Sequence, residues 1–345
     1  MSLYSEITEQ PERIRSLLAS QKKTVGRIAA AIQKRDIQYV FLAARGTSDN
    51  AGRYANYLLG ALNGLPLALA TPSLFTYYKQ PPKLKNALVI GISQSGQSPD
   101  IVSVLEEGKK QNCLTLAITN EARSPLAKAA DFLLDIQAGK EKAVAATKTY
   151  TTELMTIAML STALNENKAR REELAEVPRW MNAVLKHDAL ISKSAERYRY
   201  MDQTVVLGRG FNYATAFEWA LKLKELAYVK AEPYSSADFQ HGPIAMLESG
   251  FPVMAVAPKG RVFESMLEIL KRLRKELLAE LVVISNDKRA LSLASLPLSI
   301  PADVPEWLSP LICILPAQMF AYHLTQAKGY DTEQPRSIHK VTETK

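Results

Sequence analysis

The sequence predicts an α/β protein built from two similar nucleotide-fold-like halves, each a parallel sheet flanked by helices. Two observations carry this. Short apolar runs with the character of buried strands alternate with amphipathic helical segments, the pattern of parallel sheets. The alternation then occurs twice. "YVFLAARGTSDNAGRYANYLLGAL" from Tyr39 matches "VVLGRGFNYATAFEWALKLKEL" from Val205, with Arg45-Gly46 on Arg209-Gly210 at an offset of 164. "ALVIGISQSG" matches "PVMAVAPKG" at that same offset, and "CLTLAITNEARSPLAKAADFLLDI" matches "AELVVISNDKRALSLASLPLSI" at 166. Three strand-turn-helix units that keep their spacing twice mark a duplicated fold.

In chain order, residues 1–36 form an N-terminal helical segment, 37–165 the first domain, 166–200 a helical linker, 201–330 the second domain and 331–345 a C-terminal tail. The chain has 345 residues, 47% hydrophobic and 23% charged, enough for a substantial core. No apolar stretch is expected to reach the roughly 20 residues that span a bilayer, and "MSLYSEITEQPERIRSLL" carries charges where a signal peptide is apolar. A cytoplasmic protein without membrane association is the expectation. Cys113 and Cys313 stand in apolar contexts without Cys-x-x-Cys spacing, so they read as core residues, with no disulfide framework and no metal site. The formal charge of +8 could attract nucleic acid. However, "KRLRKE" at 271–276 falls at helical spacing and "NENKARREE" at 165–173 mixes signs, so neither forms a basic stripe with aromatics. A small phosphorylated molecule suits the charge better than nucleic acid.

The stretch "SQSGQSPD", Ser93 to Asp100, follows an apolar strand run directly. Pro99 after Ser98 is a helix-start signal, which places the loop at a helix N-terminus, where unpaired N–H groups favour an anion. Gly96 is expected to let the backbone approach that anion, and Ser93, Ser95 and Ser98 to donate to it. "RGTSDN" also follows a strand, so Thr47 and Ser48 should meet the serine loop beyond the strand ends. No Gly-x-x-x-x-Gly-Lys-Ser/Thr or Gly-x-Gly-x-x-Gly motif is present, which points to a phosphosugar-sized anion in place of a nucleotide.

The two copies differ where chemistry would reside. The counterpart of the serine loop is "APKGR", without hydroxyls. Conversely, Lys222 and Glu225 align with the apolar Leu58 and Ala61. Their spacing of three puts them on one helix face, a credible acid–base pair in a cleft. Symmetry of fold with asymmetry of chemistry suggests one composite site. His187 and His323 lie in helical contexts and read as structural. Lys340, near the C-terminus, is by default a solvated tail residue.

"ISQSGQSPD", "RGTSDNAG", "AVAATKTYTTEL", "ALKLKELAYVKAEPYSSADFQHGP" and "QPRSIHK" together resemble the sugar isomerase (SIS) domain family, and "SEITEQPERIRSLL" is similar to the opening of its isomerase region. The resemblance implies two tandem SIS subdomains, each a three-layer sandwich around a parallel sheet. It also implies that Ser93, Gln94, Ser95 and Ser98, with Ser48, hold a sugar phosphate, while Thr47 and the backbone at Val144 contact sugar hydroxyls. Glu225 matches the base that moves a proton between sugar carbons 1 and 2, with Lys222 beside it. His241 matches the histidine of ring opening, which comes in that family from the neighbouring subunit of a homodimer. Lys340 matches the lysine that forms an imine with the ketose. No metal or organic cofactor is implied. The family's synthases begin with a glutaminase domain, which this sequence does not show, and they carry cysteine before Gly-Thr-Ser, where Arg45 stands here. The "HKVT" tail is similar to tails of deaminase or deglycase members.

The expected function is that of an amino sugar phosphate isomerase/deaminase, converting glucosamine 6-phosphate and water to fructose 6-phosphate and ammonia. A fructosamine 6-phosphate deglycase, an amine-transferring isomerase with a separate ammonia source, and a non-catalytic phosphosugar sensor are the alternatives.

Overall fold

In the computed structural model, residues 2–165 and 167–340 are described. The described residues form two compact units, one of residues 12–141, 148–165, 167–175 and 338–340, the other of residues 2–11, 142–147 and 176–337.

The first unit holds strands β1 (Tyr39–Ala43), β2 (Leu67–Leu69), β3 (Ala87–Ile92), β4 (Leu114–Thr119) and β5 (Phe132–Asp135). All are parallel, in the order β2-β1-β3-β4-β5. Every residue of β3 and β4 is buried, which is why both read as unbroken apolar runs: helices cover the two faces of a parallel sheet. Val89, Ala117, Ile101 and Leu105 form the core on one side. Opposite, the almost wholly buried helix Lys148–Leu164 packs on the helix Gly46–Asn63.

The second unit repeats the plan with β6 (Gln203–Gly208), β7 (Lys230–Ser235), β8 (Pro252–Val256), β9 (Glu280–Ser285) and β10 (Leu296–Ser299). Its parallel order, β7-β6-β8-β9-β10, is that of the first sheet, so the sequence repeat is a structural one. Helix Phe263–Lys275 buries Phe263, Met266, Leu270 and Leu273 and leaves Lys271, Arg272, Arg274 and Lys275 exposed, which accounts for the basic run as a solvated face. Both cysteines are buried.

Helix Ser309–Ala327 corrects one expectation. With the turn before it, the run Glu306–Ala327 is long and apolar enough to cross a membrane, a stretch the sequence reading did not anticipate. Of an apolar 18-residue stretch within it, 89% of the residues are buried inside the protein, as in a core helix, and Phe320 meets Trp219 of the helix Tyr213–Ala227 edge to face at 6.0 Å.

Candidate functional site

In the first sheet the strand order reverses direction between β1 and β3, so the crevice beyond their carboxyl ends is the switch point where ligands of such folds bind. Because β1 and β3 are parallel neighbours with Ala43 opposite Gly91, the loops carrying Thr47 and Ser48 and those carrying Ser93 to Ser98 leave the same end of the sheet. An ion pair missed in the sequence ties them together: Arg45 Nε lies 2.8 Å from Oδ2 of the fully buried Asp100. Half of the Arg45 side chain stays exposed, so a cation remains at the crevice. Arg45 stood in the aligned Arg-Gly pair, but only tertiary structure reveals its partner.

Within the serine loop, Ser93 Oγ accepts the Gly96 N–H at 3.1 Å and Ser95 Oγ accepts the Gln97 N–H at 3.3 Å. Both hydroxyls act as acceptors there, which leaves their protons for another acceptor, Ser93 being buried and Ser95 half-buried. The Gln94 carbonyl takes the Asn120 N–H and the Thr119 hydroxyl, fixing the loop from beneath. Ser98 is the N-cap of helix Pro99–Lys110, as expected, yet its hydroxyl makes no capping bond.

Gly96 has φ +61°, and a Cβ there would lie 2.2 Å from Ser124 Oγ, so backbone conformation and protein packing both require glycine at this position. Ser48 donates its hydroxyl at 2.8 Å to the buried Glu153. Thr47 is half-buried in the first turn of the same helix.

Lys340 is not a free tail residue. Its ammonium lies 2.6 Å from Oε2 of Glu141, whose buried carboxylate also accepts the Thr149 N–H at 3.1 Å and hydroxyl at 2.8 Å. The Val341-Thr342 part of the tail pattern lies outside the described residues.

In the second unit, helix Tyr213–Ala227 presents Lys222 and Glu225 together, Nζ to Oε2 at 2.5 Å. Lys222 is 1% exposed and also sits 3.3 Å from the fully buried Glu218, one turn earlier. Burial pushes its pKa down, but the Glu218 and Glu225 carboxylates outweigh it and hold the ammonium above its ordinary value. Lys222 is therefore a fixed cation, and Glu225, still partly exposed, is the group of the pair that can reach a substrate. Glu218 is four residues before Lys222 on the same face, a spacing that could have revealed it.

His241 is exposed, following helix Ser236–Phe239, and among the described residues no hydrogen bond joins its ring to Lys222 or Glu225. Val144 is half-buried between the buried Ala143 and Ala145. At the second sheet's own switch point the loop is closed by protein: a Cβ on Gly260 would fall 2.1 Å from the Glu306 side chain, and a carboxylate there disfavours an anion. That gives a physical reason for the absence of hydroxyls from "APKGR". Among the described residues no cluster of His, Cys, Asp and Glu could hold a metal ion.

Two parallel sheets of one strand order, the first with a hydroxyl-lined loop at its switch point, define a duplicated phosphosugar-isomerase type of fold. The SIS domain model matches residues 35–163 and 199–327, and the chain belongs to that family. It is 33% identical over 347 residues to the glutamine–fructose-6-phosphate aminotransferase (isomerizing) of Thermococcus kodakarensis, covering 98% of this chain and 57% of that one. The chain thus spans little more than half the length of such relatives. Among solved structures, a candidate phosphosugar isomerase from Silicibacter pomeroyi DSS-3 superimposes with a TM-score of 0.86 at 32% identity, covering 96% of this chain and all of that one. The C-terminal domain of glucosamine-fructose-6-phosphate aminotransferase from Francisella tularensis gives 0.84 at 28% identity, covering 96% and 98%.

Proposed function

We propose that the chain isomerises and deaminates a phosphorylated amino sugar, converting glucosamine 6-phosphate and water to fructose 6-phosphate and ammonia. The observation that carries this reading is the Lys222–Glu225 pair at 2.5 Å, a buried cation beside a reachable carboxylate at positions that are Leu58 and Ala61 in the other half. The hydroxyls of Ser93, Ser95 and Ser98, with Gln94 and Ser48, hold the phosphate, and Thr47 and the Val144 backbone meet sugar hydroxyls. His241, from a neighbouring copy in a homodimer, opens the ring. Glu225 takes the proton from carbon 2 and returns it at carbon 1, while oxygen 1 gains a proton and the amine nitrogen gives one up, so the double bond moves and a fructose imine results. Lys222 stabilises the negative charge that develops between these steps. Water adds at carbon 2 of the imine and ammonia leaves. Lys340 serves as an imine former with the ketose or as a cation near the enolamine.

A second reading, amine transfer to fructose 6-phosphate, is favoured by the 33% identity to an isomerizing aminotransferase. It uses the same proton shift in reverse. Ammonia release and uptake measured across phosphorylated amino sugars and fructosamines separates the readings. Turnover of glucosamine 6-phosphate above all others is expected, preference for a substituted fructosamine 6-phosphate would make the chain a deglycase, and binding of these compounds without any turnover would overturn the reading in favour of a sensor.

A further inference from the structure

The opening motif "SEITEQP" has no part in the chemistry above, yet it supplies buried polar groups to one segment of the second unit. Glu6 is fully buried on the short helix Leu3–Thr8. Its carboxylate accepts the Lys142 N–H on one oxygen at 2.5 Å and the Ala143 N–H on the other at 3.2 Å. At the far end of the segment, Gln318 Nε2 donates to the Thr147 carbonyl at 3.4 Å. Gln10, also fully buried, orients Gln318 by donating to its Oε1 at 2.8 Å. Both ends of 142–147 are thus held by side chains with almost no exposure. Between them Ala143, Ala145 and Thr147 are buried, while Val144 and Ala146 are partly exposed. This alternation fixes one edge of the segment inward and presents the other.

We infer that Glu6, Gln10 and Gln318 are positioning residues that set the backbone of 142–147, and with it the surface offered by Val144. A buried carboxylate is costly unless its oxygens are satisfied, and here it satisfies two consecutive amides that the segment's irregular backbone leaves without a ladder partner. The role in catalysis rests on the proposed function, in which the Val144 backbone meets the sugar. The positioning itself does not.

Glu6→Gln keeps the shape but turns one acceptor into an NH2 donor facing an N–H. Amide hydrogen exchange at Lys142 and Ala143 in the folded variant is expected to quicken about tenfold or more, with the rest of the chain unchanged, given the strength of hydrogen bonds to charged groups. The same variant should bind fructose 6-phosphate about tenfold more weakly and raise KM more than it lowers kcat. Unchanged exchange at those two amides in folded protein overturns the inference. If Glu6→Gln does not fold, Gln318→Leu is read the same way, with about threefold faster exchange across the segment expected from loss of one neutral bond. Faster exchange in a protein that turns over no amino sugar phosphate would uphold the positioning and sink the proposed function instead.

Discussion

The ammonium of Lys340 lies 2.6 Å from Glu141, a residue 199 positions earlier whose carboxylate is itself held by Thr149. A carboxylate fixed in this way gives the tail lysine one defined place, and although Lys340 keeps a quarter of its exposure the Glu141 side chain has none. Lys340→Ala takes the cation away from a buried carboxylate and should therefore lower the unfolding free energy by about 1–3 kcal/mol. Borohydride reduction in the presence of fructose 6-phosphate should add the sugar mass to the peptide containing Lys340 and leave Lys340→Arg unmodified. A labelled peptide elsewhere, with Lys340 bare, would reject the imine role.

Lys222 is itself almost wholly buried. Replacing it by methionine leaves the fully buried Glu218 uncompensated, which should cost about 3–5 kcal/mol in urea unfolding. The double change Glu218→Gln with Lys222→Met should recover much of that loss. Since the folded pKa of Lys222 is raised above 10.5, its stabilisation is fully present below the unfolded value and is lost only as pH rises through the folded one. The stability gap between the native chain and Lys222→Met should thus stay constant from about pH 6 to 9 and close only in strong alkali.

Gly96→Ala introduces both a left-handed alanine and a clash with Ser124. Unfolding measurements should show a loss of at least about 1–2 kcal/mol from the backbone alone. A companion Ser124→Gly change should relieve the steric part and leave the conformational part.

These cases show what was legible in the sequence. The duplicated sheets could be read because strands such as β3 are buried on both faces and leave unbroken apolar runs at a constant offset. Lys222 and Glu225 stood out because the other copy is apolar there. Their environment was less legible: Glu218 was within reach of helix spacing, whereas Glu141 for Lys340, Glu153 for Ser48 and Glu6 for Lys142 are partners fixed by packing across 100 to 200 residues. No periodicity records such pairings. Gly96 shows the same limit, since its neighbour Ser124 belongs to another loop of the sheet.

If the hydroxyls of the serine loop hold the phosphate, Ser95→Ala and Ser98→Ala should each raise KM roughly 10- to 100-fold with little change in kcat, as expected for hydrogen bonds to a charged group that persist through the reaction. Inorganic phosphate should inhibit both variants less than the native chain. An unchanged KM with kcat reduced would place these serines at the reacting carbons instead.

The proton shift assigned to Glu225 is tested most directly by ammonia release from glucosamine 6-phosphate, measured for the native chain and for Glu225→Gln under identical conditions. The native chain should release ammonia and fructose 6-phosphate in equal amounts, and the variant should be about 10²- to 10⁴-fold slower, the usual contribution of a general base. Equal release by the two proteins would contradict the mechanism.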